Sequence, residues 1–237
     1  MRRILVIGAL AALAALAACA PPAHQAPAAS DEPAAKPIPV KSDAPAGEYK
    51  LDLAHASLNF RIVHMGLSHY TARFTKFDAT LKFDPGDPEG MSVTATIDPH
   101  SIQTNYPDPK KTDFDKELQN DKLLDTAKFP LMTYKSTAVE LTGPNTANVT
   151  GDLTLHGVTA PVDLDVTFNG GYAPSATDPA ARIGFSAHGS LTRSAFGMSY
   201  GVPPPGSAVG VGDDVEIIIE TEFAKAGPAP PAAPAPH

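Results

Sequence analysis

Apolar and polar residues alternate strictly through two short runs, residues 149–155 and 162–168. A period of two residues is that of a β-strand whose two faces differ in polarity. Gly157 and Pro161 interrupt the pattern between the runs, as turn residues do. The segment therefore predicts an antiparallel hairpin with one apolar face.

The same alternation recurs along the chain and predicts about eight strands in all. The further alternating segments are 58–64, 72–83, 91–97, 132–141, 183–191 and 215–223. Residues 112–124 differ, because their apolar side chains fall at helical spacing among charged residues, and Thr112 or Asp113 can cap the first turn. We therefore expect an all-β fold, a single antiparallel eight-stranded barrel with one helix.

One slip in the alternation falls at Thr75 and Lys76, where the apolar residues change phase. A β-bulge produces such a slip and bends a strand at a barrel corner. Closure of the sheet removes the two unpaired edges that an open sheet would expose. The interior of an eight-stranded barrel is either filled by side chains or wide enough for one slender ligand. The pattern of small residues and aromatic rings leaves both interiors open.

The first nineteen residues have the layout of a bacterial secretion signal. Arg2 and Arg3 precede an apolar run that is too short for a membrane-spanning helix. Cys19 follows Leu-Ala-Ala, which resembles a lipobox; the alternative is an ordinary signal cleaved after an Ala-x-Ala site. We expect residues 1–18 to be a lipoprotein signal peptide and acylated Cys19 to be the membrane anchor. Ala20 resembles the sorting signal for the outer membrane, so we expect a periplasmic protein tethered there.

Composition separates the remaining chain into a tether, a domain and a tail. Residues 19–47 and 226–237 are rich in Pro and Ala and lack apolar periodicity, which predicts a disordered or polyproline tether and a disordered tail around a domain at 48–225. The net charge of −8 without clusters of Lys or Arg argues against nucleic acid as a partner. A single cysteine excludes a disulfide framework.

Several short motifs lie in order along residues 49–224. They include Tyr49-x-Leu51-Asp52-x-x-His55, His64-Met65-Gly66, Lys128-Phe129-Pro130, Gly151-x-Leu153-Thr154-x-His156-Gly157 and Arg193-Ser194-x-Phe196-Gly197-Met198. Together they resemble the YceI-like, lipocalin-like family. The resemblance implies an eight-stranded lipocalin-like barrel that is secreted to the bacterial periplasm. It also implies that the barrel binds a polyisoprenoid or another long amphiphilic lipid.

On this resemblance, the lipid would contact apolar side chains that point into the barrel. The residues that we expect to bind it are Phe60, Ile62, Phe74, Phe77, Ile97, Leu123, Phe129, Tyr134, Leu153, Leu155, Phe185, Phe196 and Met198. The sequence departs from the family pattern at Ala72, at Ala195 and in an insertion at 106–110 before the predicted helix. We therefore expect the head group of the ligand to differ from that bound by other members.

Histidine spacings typical of metal sites are not found in the sequence. Its eight histidines show no His-x-x-x-His or His-Glu-x-x-His spacing, and no Gly-rich phosphate loop occurs. Residues 197–201 have the letters of Gly-x-Ser-x-Gly, but three prolines at 203–205 follow them where a nucleophile elbow requires a helix. We expect no enzymatic activity, no metal and no cofactor other than a bound isoprenoid lipid. We expect His64 and His156, which lie at strand ends, to form hydrogen bonds at the rim of the barrel; a proton or metal site is the lesser alternative. We expect Arg193 either to form hydrogen bonds that tie the end of the barrel together or to contact a lipid head group.

Three functions fit these features. The first is a carrier of a long-chain isoprenoid or quinone-like lipid in the cell envelope. The second is a structural or interaction module with a filled barrel, and the third is an enzyme or redox accessory that uses a lipid quinone. The sequence leaves open whether the chain forms a homodimer.

Overall fold

The computed structural model describes residues 42–225. The predicted signal peptide, Cys19, the first part of the tether and the tail lie outside these residues. No helix within 42–225 combines the length and the apolar character needed to span a bilayer.

Eleven strands and one short α-helix make up residues 42–225. They are β1 (Gly47–Leu51), β2 (Ser57–His64), β3 (Ser68–Phe74), β4 (Phe77–Phe83), β5 (Ser92–Ile97), β6 (Ile102–Gln103), α1 (Phe114–Glu117), β7 (Met132–Leu141), β8 (Thr146–Leu155), β9 (Val158–Tyr172), β10 (Ala181–Thr192) and β11 (Val211–Lys225). All the strand pairs are antiparallel.

The strands close into an eight-stranded barrel, as the sequence predicts. Three pairs, β1 with β2, β3 with β4 and β5 with β6, each continue as one barrel strand across a bend. The long strand β11 pairs with β10 on one side and with both β1 and β2 on the other. The register Leu51↔Phe223 and Phe60↔Ile217 fixes this closing seam. Each of the eight barrel strands thus has a hydrogen-bonded neighbour on both sides, which closes the sheet, although the short β6 pairs only with β3.

The bend between β3 and β4 lies at the predicted slip. The backbone N–H groups of Thr75 and Lys76 donate to the Ser101 hydroxyl at 3.2 and 3.0 Å. The Thr75 N–H also donates to the Ser101 carbonyl oxygen. Ser101, which lies between β5 and β6, therefore connects the bend there with the bend between β3 and β4. Because β3 and β4 meet at this bend, apolar residues face inward on both sides of the slip.

The predicted helix at 112–124 is wrong in its extent. Asp113 caps α1 by accepting a hydrogen bond from the Lys116 N–H, but the helix ends at Glu117. The Asn120 side chain then accepts a hydrogen bond from the Lys122 N–H, a local contact that competes with helical bonding. The chain continues in turns, which bring Leu118 and Leu123 to the interior of the barrel.

The folded domain also begins earlier than the predicted boundary at residue 48. Ser42 forms a β-bridge with Gly171, and Ala44 is buried in a cluster with Tyr49. The Tyr49 hydroxyl donates to the Pro45 carbonyl oxygen at 2.7 Å. Residues 42–46 therefore pack on the barrel rather than form part of a tether.

An ion-pair network crosses the closing seam on the outer surface. Arg182 on β10 donates to Asp52, in the bend between β1 and β2, and to Asp178, each at 2.6 Å. His55 lies 3.0 Å from the Asp52 carboxylate. The bonds from Arg182 and then His55 lower the pKa of Asp52 from 3.8 to about 2.

Asp52→Asn should lower the stability of the domain at neutral pH by about 1 kcal/mol, or roughly 2–4 °C in Tm. Because the folded-state pKa of Asp52 is depressed, its contribution is present above pH ~4 and is lost as the pH falls toward 2. Thermal unfolding of both proteins across pH 2–7 should therefore show a gap that narrows on acidification. Glu216→Gln, which removes a more exposed pair with Arg61, is the control and should have a smaller effect. A gap for Asp52→Asn that does not change with pH would contradict the assignment.

Candidate functional site

The barrel encloses a cavity of about 980 Å³ that runs from one end of the barrel to the other. At one end it reaches Pro85 and Pro144, in the β4–β5 and β7–β8 turns. At the other end it reaches Tyr200 and Gly201, in the β10–β11 loop. This volume lies at the upper end of the range of small-molecule sites, roughly 300–1,000 Å³.

The lining of the cavity is apolar. Arg193 is the only Asp, Glu, Lys or Arg residue among the lining residues. Inward side chains such as Phe60, Phe185 and Ile217 are only half buried, because they face open space instead of neighbouring side chains. The barrel formed by residues 42–225 is therefore not filled by its own side chains.

Two packed clusters support the walls of the cavity. One lies near the end where the chain enters and joins Tyr49, Phe83, Ile183 and Phe223. The rings of Tyr49 and Phe83 meet edge to face, with centroids 5.6 Å apart. The other cluster surrounds Tyr134 and lies nearer the middle and the far end. Side chains thus close parts of the interior and leave the space between them open.

The structure brings eleven of the thirteen predicted lipid-binding residues to the wall of the cavity. They are Phe60, Ile62, Phe74, Phe77, Ile97, Leu123, Tyr134, Leu153, Leu155, Phe185 and Met198. Phe129 and Phe196 do not line it. Phe129 packs against the ring of His156, with centroids 4.8 Å apart, and Phe196 is buried within the second cluster. For these two residues the expected position in the cavity is wrong, because both lie in turns that pack on the end of the barrel.

The prediction missed lining residues of two kinds. Ile217, Ile219, Leu164 and Val166 share the inward face of strands whose alternation was visible, so the same period would have identified them. Tyr106, Phe114 and Leu118 reach the cavity from the irregular segment between β6 and β7. No periodic signal marks those positions, so their place depends on how the segment turns.

That irregular segment borders the far end of the cavity. The ring of Phe114 contacts those of Tyr70 and Tyr106, each with centroids 5.7 Å apart. Asp115 accepts hydrogen bonds from the backbone N–H and the hydroxyl of Thr104 at 2.7 and 2.5 Å. These contacts fix three aromatic rings at the rim of the cavity.

A family model described as the YceI-like domain matches residues 49–223, nearly the whole of the barrel. The chain belongs to the YceI-like family. Protein YceI of Salmonella arizonae is 37% identical over 183 residues, which cover 76% of this chain and 87% of that protein.

Two solved structures share the fold of this YceI-like chain. BcnA of Burkholderia cenocepacia has a TM-score of 0.59 at 25% identity and covers 73% of this chain and 98% of its own. A domain from Saccharophagus degradans, described as a polyisoprenoid binding domain, has a TM-score of 0.52 at 16% identity and covers 76% of this chain and 98% of its own. The second likeness shows the fold alone.

Arg193 ties the far end of this YceI-like barrel together. It is 5% exposed, and its guanidinium donates to the carbonyl oxygens of Met198, Tyr200, Val211 and Gly212 at 2.8 to 2.9 Å. No carboxylate bonds to it among residues 42–225, and burial lowers its pKa. The predicted tie across the barrel end is confirmed, and the same residue is the one cation on the cavity wall.

The histidines of the motifs take different places. His64 lines the cavity, whereas His156 lies in the β8–β9 turn with Nδ1 3.0 Å from the Phe196 carbonyl oxygen. Within residues 42–225, one group of three possible ligands lies close enough together to hold a metal ion: the ligand atoms of Asp52, His55 and Glu222 are within 4.8 Å of one another. Arg182 already bonds to Asp52 and lies 3.6 Å from Glu222, so an ion pair takes up these carboxylates.

Tyr134 and Gly151 form a matched pair across β7 and β8. The Tyr134 hydroxyl donates to the Val149 carbonyl oxygen at 3.0 Å, and its ring lies directly over Gly151. Burial raises the pKa of Tyr134, so the hydroxyl remains a donor at physiological pH. Gly151 is therefore required because its missing side chain leaves the space for the ring.

Gly151→Ala should destabilise the domain by about 1–3 kcal/mol, because the new Cβ would overlap the Tyr134 ring. Gly184→Ala is the matched control, since a Cβ there would meet its nearest atom at 3.7 Å, also within a strand. Chemical denaturation measures both. Equal losses for the two variants would show that the cost arises from the strand backbone and not from the ring.

Proposed function

We propose that this protein binds a long-chain amphiphilic lipid, a polyisoprenoid or a quinone-like lipid, inside its barrel and carries it within the bacterial cell envelope. The observation that carries the proposal is the continuous apolar cavity, with Arg193 as its only Asp, Glu, Lys or Arg residue. The polyisoprenoid-binding description of the neighbour from Saccharophagus degradans supports the same ligand class. The proposal includes no catalytic step.

Burial of the hydrocarbon chain can supply the affinity. Each CH₂ group removed from water gains about 0.8 kcal/mol, so a chain of several isoprene units needs few polar contacts. The lining has no row of charged residues that would have to lose water when the chain enters. We expect the eleven lining residues of the predicted site to make these contacts.

Ala95→Phe should block uptake of lipid while the fold is kept. Ala95 faces the cavity opposite Tyr134, so a ring at this position would occupy the space that the chain needs. Thr94→Phe, one residue away on the exposed outer face, is the matched control. Native mass spectrometry after loading with a prenol should show the bound mass in the wild type and in Thr94→Phe. A wild-type protein that neither co-purifies with a lipid nor takes up the prenol would overturn the proposed function.

We further propose that acylated Cys19 anchors the protein to the periplasmic face of the outer membrane. If so, mass spectrometry of the mature N-terminus should find a lipid-modified cysteine, and the protein should leave the membrane fraction only with detergent. Cys19→Ser should remove the modification. A mature chain that begins at another residue would contradict the anchor and leave the cavity unaffected.

A further inference from the structure

Two segments at one end of the barrel carry no charged residue. Residues 62–72 and residues 194–212 contain no Asp, Glu, Lys or Arg, although 19% of the whole chain is charged. At that composition, thirty residues would hold about six charges. We call these two segments together the uncharged rim.

The two segments of the uncharged rim form one surface. The Met65 N–H donates to the Gly210 carbonyl oxygen at 2.7 Å, and β2 and β11 pair at His64 and Val211. Gly66 has a positive φ of 66° and lies so close to Ala208 that a Cβ would be only 2.8 Å from the Ala208 side chain. The tip of the β2–β3 turn therefore packs on the β10–β11 loop.

Large apolar side chains project from this surface. Leu67 is 87% exposed, Val209 is 69% exposed and Tyr200 is 59% exposed. Met65 and Val63, on the same turn and strand, are also exposed. Apolar side chains grouped in this way on a folded surface mark an interaction site.

The position of the uncharged rim identifies the partner. Tyr200, Gly201, Val211 and His64 belong to the rim and also line the cavity, so the apolar surface continues into the apolar interior. Tyrosine and aliphatic side chains are the residues that enter the boundary between lipid head groups and acyl chains. We propose that the uncharged rim docks the barrel on a lipid bilayer, so that a lipid passes between the membrane and the cavity without crossing water.

The opposite end of the barrel has the contrary character. Its β4–β5 turn holds Asp84, Asp87 and Glu89, which an anionic membrane surface would repel. The chain enters the barrel at Gly47 and leaves it at Lys225, both at this acidic end. The barrel therefore begins and ends on the side away from the uncharged rim.

The neighbouring segment indicates that docking does not depend on charge. Residues 104–131 border the same end and hold five lysines and six acidic residues, which nearly cancel. Docking should therefore occur on zwitterionic phosphatidylcholine vesicles and persist at high salt.

The sequence has no tryptophan, so one introduced residue reports on each end. The experiment uses the full-length chain with Cys19→Ser, which removes the predicted acylation site, and compares Leu67→Trp with Tyr172→Trp. Tyr172 is exposed at the acidic end, at the end of β9, and does not line the cavity, so it is the control. With vesicles of brominated phosphatidylcholine, the tryptophan at 67 should shift to shorter wavelength and be quenched, whereas the one at 172 should not.

Equal responses at both positions, or no response at 67, would overturn the docking proposal. A shift at 67 that grows with protein concentration in the absence of vesicles would also overturn it, and would assign the surface to a second copy of the chain.

A transfer experiment separates docking on the bilayer from lipid binding in the cavity. The role of docking rests on the proposed lipid binding. Leu67→Asp combined with Val209→Asp should slow the transfer of a prenol from vesicles by about tenfold or more. The amount of prenol taken up from detergent micelles should stay the same, and Tyr172→Asp, at the acidic end and outside the cavity lining, should change neither value. Unchanged vesicle transfer in the double variant would reject the docking role, whereas failure of the wild type to load from micelles would reject the proposed lipid binding instead.

Discussion

Closure of the antiparallel sheet through β11 is the constraint on which the structure depends. This strand pairs with β10 along one edge and with β1 and β2 in turn along the other. Because hydrogen bonds between backbones hold the wall, the barrel does not require its interior to be packed solid. Side chains fill the interior of the barrel at the two clusters around Tyr49 and Tyr134, and the space between these clusters remains open.

The closed wall also determines where polar groups lie. In each strand one face turns outward, and charged pairs such as Arg61 with Glu216 and Arg182 with Asp52 lie on the outer surface across the closing seam. The inner face keeps one cation, Arg193, which four carbonyl oxygens hold at the far end. Backbone hydrogen bonds, the two packed clusters and the polar contacts at the barrel ends thus hold the structure together, and the rest of the interior remains open.

The alternation of apolar and polar residues was sufficient to predict the barrel, its eight strands and most of its inward residues, because one period governs every strand. It located the bend at Thr75 and the hairpin around Gly157. It failed between β6 and β7, where the helix ends at Glu117 and the turns that follow decide which side chains face inward. It also misplaced Phe129 and Phe196, since a turn residue packs according to tertiary contacts that no period records.

The nearly uniform hydrocarbon wall has a consequence for selectivity. An apolar pocket discriminates weakly between molecules that differ by one methylene group or one hydroxyl, because no buried polar group is left unpaired by the wrong molecule. Molecules would therefore be distinguished mainly by girth, and homologues whose chains fit the tunnel would be accepted together.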